Sequence, residues 1–90
     1  MVRTVRRTAQ FKRDYKLVKR RGMDTEKLRL AMLKLANDEP LETRYRDHLL
    51  LGSYGGRREC HIEPDWLLIY KLEPGAIVFE RTGTHSDLFR

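Results

Sequence analysis

The chain is poor in cysteine, in proline and in long apolar runs. With a single cysteine, Cys60, in 90 residues, no internal disulfide can form and neither a zinc knuckle nor a redox pair can be assembled. Cys60 alternates with His61 beside Ile62, which reads as a small buried strand residue in a reducing compartment. The apolar runs are short and regularly interrupted, which excludes a membrane span. Arg3, Arg6 and Arg7 near the start have no apolar segment behind them, so they do not read as a secretion signal. A cytoplasmic protein is expected. The length allows one domain, residues 1–90, and a chain of this size removes only about 60–65% of its unfolded surface from water, so its stability should be modest.

Acidic residues are nearly absent from the first quarter. Residues 1–22 carry nine Lys or Arg and one acidic residue, whereas residues 23–90 carry ten basic and twelve acidic residues. A basic segment of this kind favours polyanions or an acidic protein partner, although a solvated helix face would have the same composition.

Residues 1–7 alternate as a short, charged edge strand. Thr8 can cap a helix over 9–21, in which Phe11, Tyr15 and Val18 make one apolar stripe and Gly22 ends the run. Asp24 caps a second helix, with Met23 and Leu28 spaced as a staple across the cap and Leu28, Ala31, Met32 and Leu35 buried. Asn37 and Pro40 close that helix, and two helices joined so closely should form an antiparallel hairpin. Residues 38–56 read as a long surface connection with a short strand near 49–51. Strands follow over 57–62, 66–72 and 76–82, the last two joined by a tight turn at Glu73-Pro74-Gly75. The order β-α-α-β-β-β predicts an α+β domain, with a helical hairpin on one face of a mostly antiparallel sheet.

The three histidines, His48, His61 and His85, fall at predicted strand ends or in connections, near Asp47, Asp65 and Arg81 respectively. A meander would bring His61, Asp65, Arg81 and His85 to one rim of the sheet. Imidazoles exchange protons near neutral pH, carboxylates act as bases or orient histidines, and a guanidinium holds phosphate in two contacts. Such a set can cleave RNA by internal 2′-hydroxyl attack without a metal. Other chemistries fit less well. His61-Ile62-Glu63 matches half of a zinc deaminase signature, but the pair of cysteines that chemistry needs is missing. The histidines lie thirteen and twenty-four residues apart, which matches no local metal motif. Gly52 to Gly56 lacks the lysine of a phosphate-binding loop. Trp66 and Phe89 are candidates for stacking on an unpaired base, though Trp66 begins a core strand and burial explains it as well.

Asp47-His48, Leu50, Gly52, Gly56, Arg58, His61, Pro64-Asp65-Trp66, Leu68-Ile69-Tyr70, Arg81, Gly83-Thr84-His85 and Leu88-Phe89 together resemble the YafQ branch of the RelE/ParE toxin superfamily. The resemblance runs from about residue 9 to residue 89, loosely through the helices and densely after Asp47. Leu49 stands where a proline is common in that family, and the helices are more basic than usual. The resemblance implies a RelE-like fold and a ribosome-dependent endoribonuclease that cuts mRNA in the A site without a metal or other cofactor. It implies a cognate antitoxin with an acidic inhibitory segment, often in a two-toxin, two-antitoxin assembly that binds operator DNA. Carried over by position, His48, His61, Asp65 and His85 become the acid, base and supporting groups, Arg81 lies at the phosphate, Phe89 positions a base and Trp66 lines the site. Lys12, Arg13, Lys16, Lys19 and Arg20 on the first helix are expected to dock on ribosomal RNA. The competing expectation is a ParE-type toxin or nucleic-acid binder acting by contact alone, which has no need of the histidines.

Overall fold

The computed structural model describes residues 2–89, without the side chain of Ser53; Met1, which the sequence pattern assigned to the first strand, lies outside them. Strands β1 (Thr4–Arg7), β2 (His48–Leu49), β3 (Arg58–Glu63), β4 (Trp66–Glu73) and β5 (Ala76–Gly83) form one sheet in the order β1-β5-β4-β3-β2. Helices α1 (Ala9–Arg20) and α2 (Thr25–Ala36) follow β1, and a short helix α3 (His85–Leu88) follows β5. The β3-β4-β5 meander is antiparallel, as the tight turn requires. β1 instead pairs parallel with β5, a long-range match that nothing local in the sequence encodes.

The β4 sequence Trp66-Leu67-Leu68-Ile69-Tyr70 is buried throughout because both faces of the sheet are covered at its centre. Side chains alternate along a strand. Trp66, Leu68 and Tyr70 join Cys60, Ile62, Ile77 and Phe79 under Phe11 and Val18 of α1 and Leu28, Ala31 and Leu35 of α2. Leu67 and Ile69 point the other way, into a smaller cluster with Leu88, Leu50 and Tyr54. That second face is covered only in part, so polar groups can stand open to solvent beside a rigid apolar floor.

Both helix caps form as the sequence predicts: Thr8 Oγ1 accepts from Phe11 N and Asp24 from Glu26 N. The predicted stripe of α1 needs one correction. Tyr15 is 36% exposed, and Asp14 takes the inner position at 7%. β1 ends at Arg7, opposite Phe79, so the edge of β5 beyond it has no strand neighbour. Asp14 fills that gap by accepting from Thr82 N at 3.2 Å and from the Arg81 guanidinium at 2.8 and 3.2 Å. A backbone N–H on a buried strand edge must find an acceptor, and this need outweighs the apolar preference of the position. The short strand of the long connection lies at His48–Leu49, slightly earlier than the pattern placed it.

Candidate active site

β2 and β3 place two of the histidines. His48 stands opposite Glu59 in the ladder, and His61 follows Glu59 by two residues on the same strand face, turned away from the helices. α3 places the third. Thr84 caps this helix by accepting from Asp87 N, while the Asp87 carboxylate accepts from Thr84 N at 2.9 Å and from both arms of Arg21 at 2.7 and 3.2 Å. His85 is therefore the first residue of a turn tied both to itself and to α1. Arg21 and the Thr84 N–H hold the Asp87 carboxyl far below the usual carboxylate range.

The result is a row of rings across the open face. His48 and His61 centroids are 6.2 Å apart, His61 and His85 6.0 Å, His85 and Phe89 6.4 Å, and Phe89 and Tyr54 5.5 Å with the last pair edge-on. Three imidazoles separated by up to thirty-seven positions in the chain thus share one surface.

Each imidazole has a different setting. His48 Nδ1 lies 2.7 Å from the Arg46 carbonyl, which can only accept, so this nitrogen carries the proton; Nε2 faces the buried Glu59 carboxylate at 3.2 Å. His85 Nδ1 lies 2.6 Å from Asp65 Oδ1, which also accepts from the His85 backbone N–H at 3.0 Å. Those contacts, the backbone one first, hold the Asp65 carboxyl below its ordinary value. A carboxylate so occupied orients its histidine and is a poor base. His61 Nδ1 is buried with no hydrogen-bond partner, leaving Nε2 as the nitrogen able to meet a substrate. Burial lowers the proton affinity of His61, and the charges of Arg46, His85 and His48 lower it further against the pull of Glu59.

A direct consequence is that His61 should titrate below the usual histidine value of about 6.5 and be predominantly neutral at pH 7. Because the unfolded chain binds that proton more readily, His61 should favour folding above its unfolded pKa, and this contribution is lost as the pH falls through the folded pKa. An NMR titration of the His61 Cε1 proton tests the prediction. A midpoint at or above the ordinary value would contradict it.

The other expected site residues divide. Phe89 closes the row and is 43% exposed. Arg81 is engaged by Asp14, its charge further stabilised by Tyr54, so it meets the row from the Tyr54 side with its guanidinium already paired. Trp66 requires correction as a base platform. It is 0% exposed, lies in the core on the helix side of the sheet, and donates its indole N–H to Thr82 Oγ1 at 2.9 Å, so no base can reach its ring. Lys12, Arg13, Lys16, Lys19 and Arg20 are exposed on or beside α1. Lys12, Lys16 and Lys19 line a groove of about 780 Å³ between α1 and α2, floored by Phe11, Leu28, Met32 and Phe79, on the face of the sheet away from the histidines. Glu59, Asp14, Tyr54, Arg46 and Asp87 were not anticipated as site-building residues. Two of them left a signal: Glu59 precedes His61 by one strand period, and Asp14 is the lone acid in a basic segment.

A half-open sheet carrying clustered imidazoles on the side opposite its helices defines a class of small α+β protein with solved relatives. A family model described as the bacterial toxin of a type II toxin-antitoxin system, YafQ, matches residues 3–90. The mRNA interferase toxin YafQ of Escherichia coli K12 is 47% identical over 88 residues, 97% of this chain and 96% of that protein. The toxin in the crystal structure of the E. coli DinJ-YafQ toxin-antitoxin complex superposes with a TM-score of 0.93 at 45% identity, over all of both chains. A metal-bound toxin from Helicobacter pylori superposes with a TM-score of 0.90 at 35% identity, covering 99% of this chain and 100% of that one. The chain belongs to the YafQ family of type II toxins. Among the described residues, no group of three or more His, Cys, Asp or Glu side chains is placed to hold a metal ion.

Proposed function

We propose that this chain is an endoribonuclease toxin that cuts mRNA in the ribosomal A site by acid-base catalysis, with no step routed through a metal. The observation that carries the reading is the row of three imidazoles on the open sheet face, each in a different setting. The activity named for the E. coli relative points the same way.

The chemistry follows from the settings of the rings. Neutral His61 takes the proton of the ribose 2′-hydroxyl through Nε2. The 2′-oxygen attacks phosphorus, the bond to the 5′-oxygen breaks, and His85, oriented by Asp65, gives a proton to the departing oxygen. The products are a 2′,3′-cyclic phosphate and a 5′-hydroxyl. Asp65 is assigned to support rather than base because its Oδ1 accepts from both the backbone N–H and the ring of His85, which orients the ring and holds the carboxyl below its ordinary value. His48, held by the Arg46 carbonyl and Glu59, lines the site beside His61, and Phe89 stacks on a base.

The exposed lysines and arginines of α1 meet ribosomal RNA, and a cognate antitoxin with an acidic segment covers the toxin when it is silent, in a two-by-two assembly that reaches operator DNA through the antitoxin. No helix among the described residues is long and apolar enough to cross a membrane, and the ribosome places the site of action in the cytoplasm. Primer extension on a transcript with and without translating ribosomes tests the reading. Discrete in-frame cuts are expected only with ribosomes; cutting of free RNA would make the protein a stand-alone ribonuclease, and no cutting in either case would favour the contact-only toxin.

A further inference from the structure

Among the side chains near the histidines, Arg81 is the one sequence reasoning assigned to phosphate, and Asp14 already holds it by two nitrogens. Another guanidinium shares a cavity wall with His61. A cavity of about 310 Å³ is lined by Lys27, Arg44, Arg46, His61 and Glu63, so that His61 forms part of its wall. Lys27 is paired with Glu63 at 2.9 Å and Arg44 with Glu42 at 3.2 Å. Among the described residues, no carboxylate pairs with Arg46. We infer that Arg46 binds a phosphate of the RNA backbone in this cavity, beside His61, and holds the strand against the histidine row.

The inference rests on the nuclease reading and adds a substrate-binding residue to it. Three observations carry it. With Lys27 and Arg44 each paired to a carboxylate, Arg46 leaves the cavity wall one uncompensated positive charge, a balance that suits an anion. Arg46 has φ 49° and ψ 44°, the left-handed region, where glycine sits freely and an arginine is strained. Strain of this kind concentrates where a side chain is put to use. Its own carbonyl also fixes His48 Nδ1 at 2.7 Å, so one strained turn sets a histidine and aims a free guanidinium at the same place. A planar guanidinium can meet two phosphate oxygens at once and offset the charge that grows as phosphorus is attacked.

The strain supplies the test, because Arg46→Gly removes the side chain while relieving the backbone. Single-turnover cleavage of ribosome-bound mRNA is measured for the wild type, Arg46→Gly, Arg46→Lys and His85→Ala, with urea midpoints for all four and the His61 titration for the first two. Arg46→Gly should cleave on the order of 100-fold more slowly, with Arg46→Lys recovering part of the rate. The Arg46→Gly urea midpoint should be unchanged or higher, and its His61 midpoint should move up as the neighbouring charge is lost. Cleavage by Arg46→Gly within about twofold of wild type would overturn the assignment, as would a slow rate explained by a lowered urea midpoint. A wild type that does not cleave on ribosomes, and so matches His85→Ala, would remove the nuclease reading itself and this inference with it.

Discussion

Replacing His85 with Ala should lower single-turnover cleavage of mRNA on the ribosome by about 10³-fold, within the range that a positioned general acid supplies. The side chain is 52% exposed and contributes no core packing. The contact between its backbone N–H and Asp65, and the Thr84-Asp87 cap, survive the substitution. The urea midpoint and the affinity for antitoxin should therefore stay close to wild type, so that loss of growth arrest reports chemistry and not folding. Asp65→Ala should act in the same direction but more weakly, since it frees the ring without removing it. Growth arrest retained by both variants would favour a toxin that works through contact alone.

Trp66→Ala should be the most damaging substitution in the core, costing about 3–5 kcal/mol. A domain of this size has about 5–15 kcal/mol in total, so the variant should be largely unfolded in mild urea. The indole lies between the sheet and the helices and donates to Thr82 Oγ1, whose O–H in turn donates to the Leu67 carbonyl at 2.8 Å. Trp66→Phe separates the two contributions. It keeps most of the volume and loses the indole hydrogen bond, for an expected cost of about 1–2 kcal/mol. Urea denaturation checks both values. A Trp66→Ala protein as stable as wild type but unable to cut RNA would return this side chain to the substrate.

Local signals in the sequence were enough for the helix caps, the Glu73–Gly75 turn and the meander, because each depends on residues a few positions apart. The meeting of His61 and His85 followed from their places at strand ends once the meander was granted, whereas His48 joined the site through the family resemblance, because β2 lies outside the meander. What stayed hidden depends on distant partners. From Phe11, both Asp14 and Tyr15 fall on the helix face toward the sheet, and composition favours Tyr15. The unpaired edge of β5 and the charge of Arg81 select Asp14 instead, and neither is visible from α1. The same pairing removed Arg81 from its expected freedom and left Arg46 as the unpaired guanidinium beside the rings. Trp66 was ambiguous in principle, because it stands at the start of a strand next to Asp65; the face it takes is fixed by strand register. α3 was legible but missed: Thr84 and Asp87 have the spacing of a capping box, and reading it would have placed His85 on a helix rather than in a loop.

In the proposed reaction, His61 and His85 act as two halves of one proton-transfer device. The most direct test is the single-turnover rate of His61→Ala, His85→Ala and the double variant on ribosome-bound mRNA. Groups that act as a unit lose most of their effect with the first removal, so the double variant should cleave little more slowly than the slower single one. Losses that multiply, or a single variant that cleaves at the wild-type rate, would contradict it.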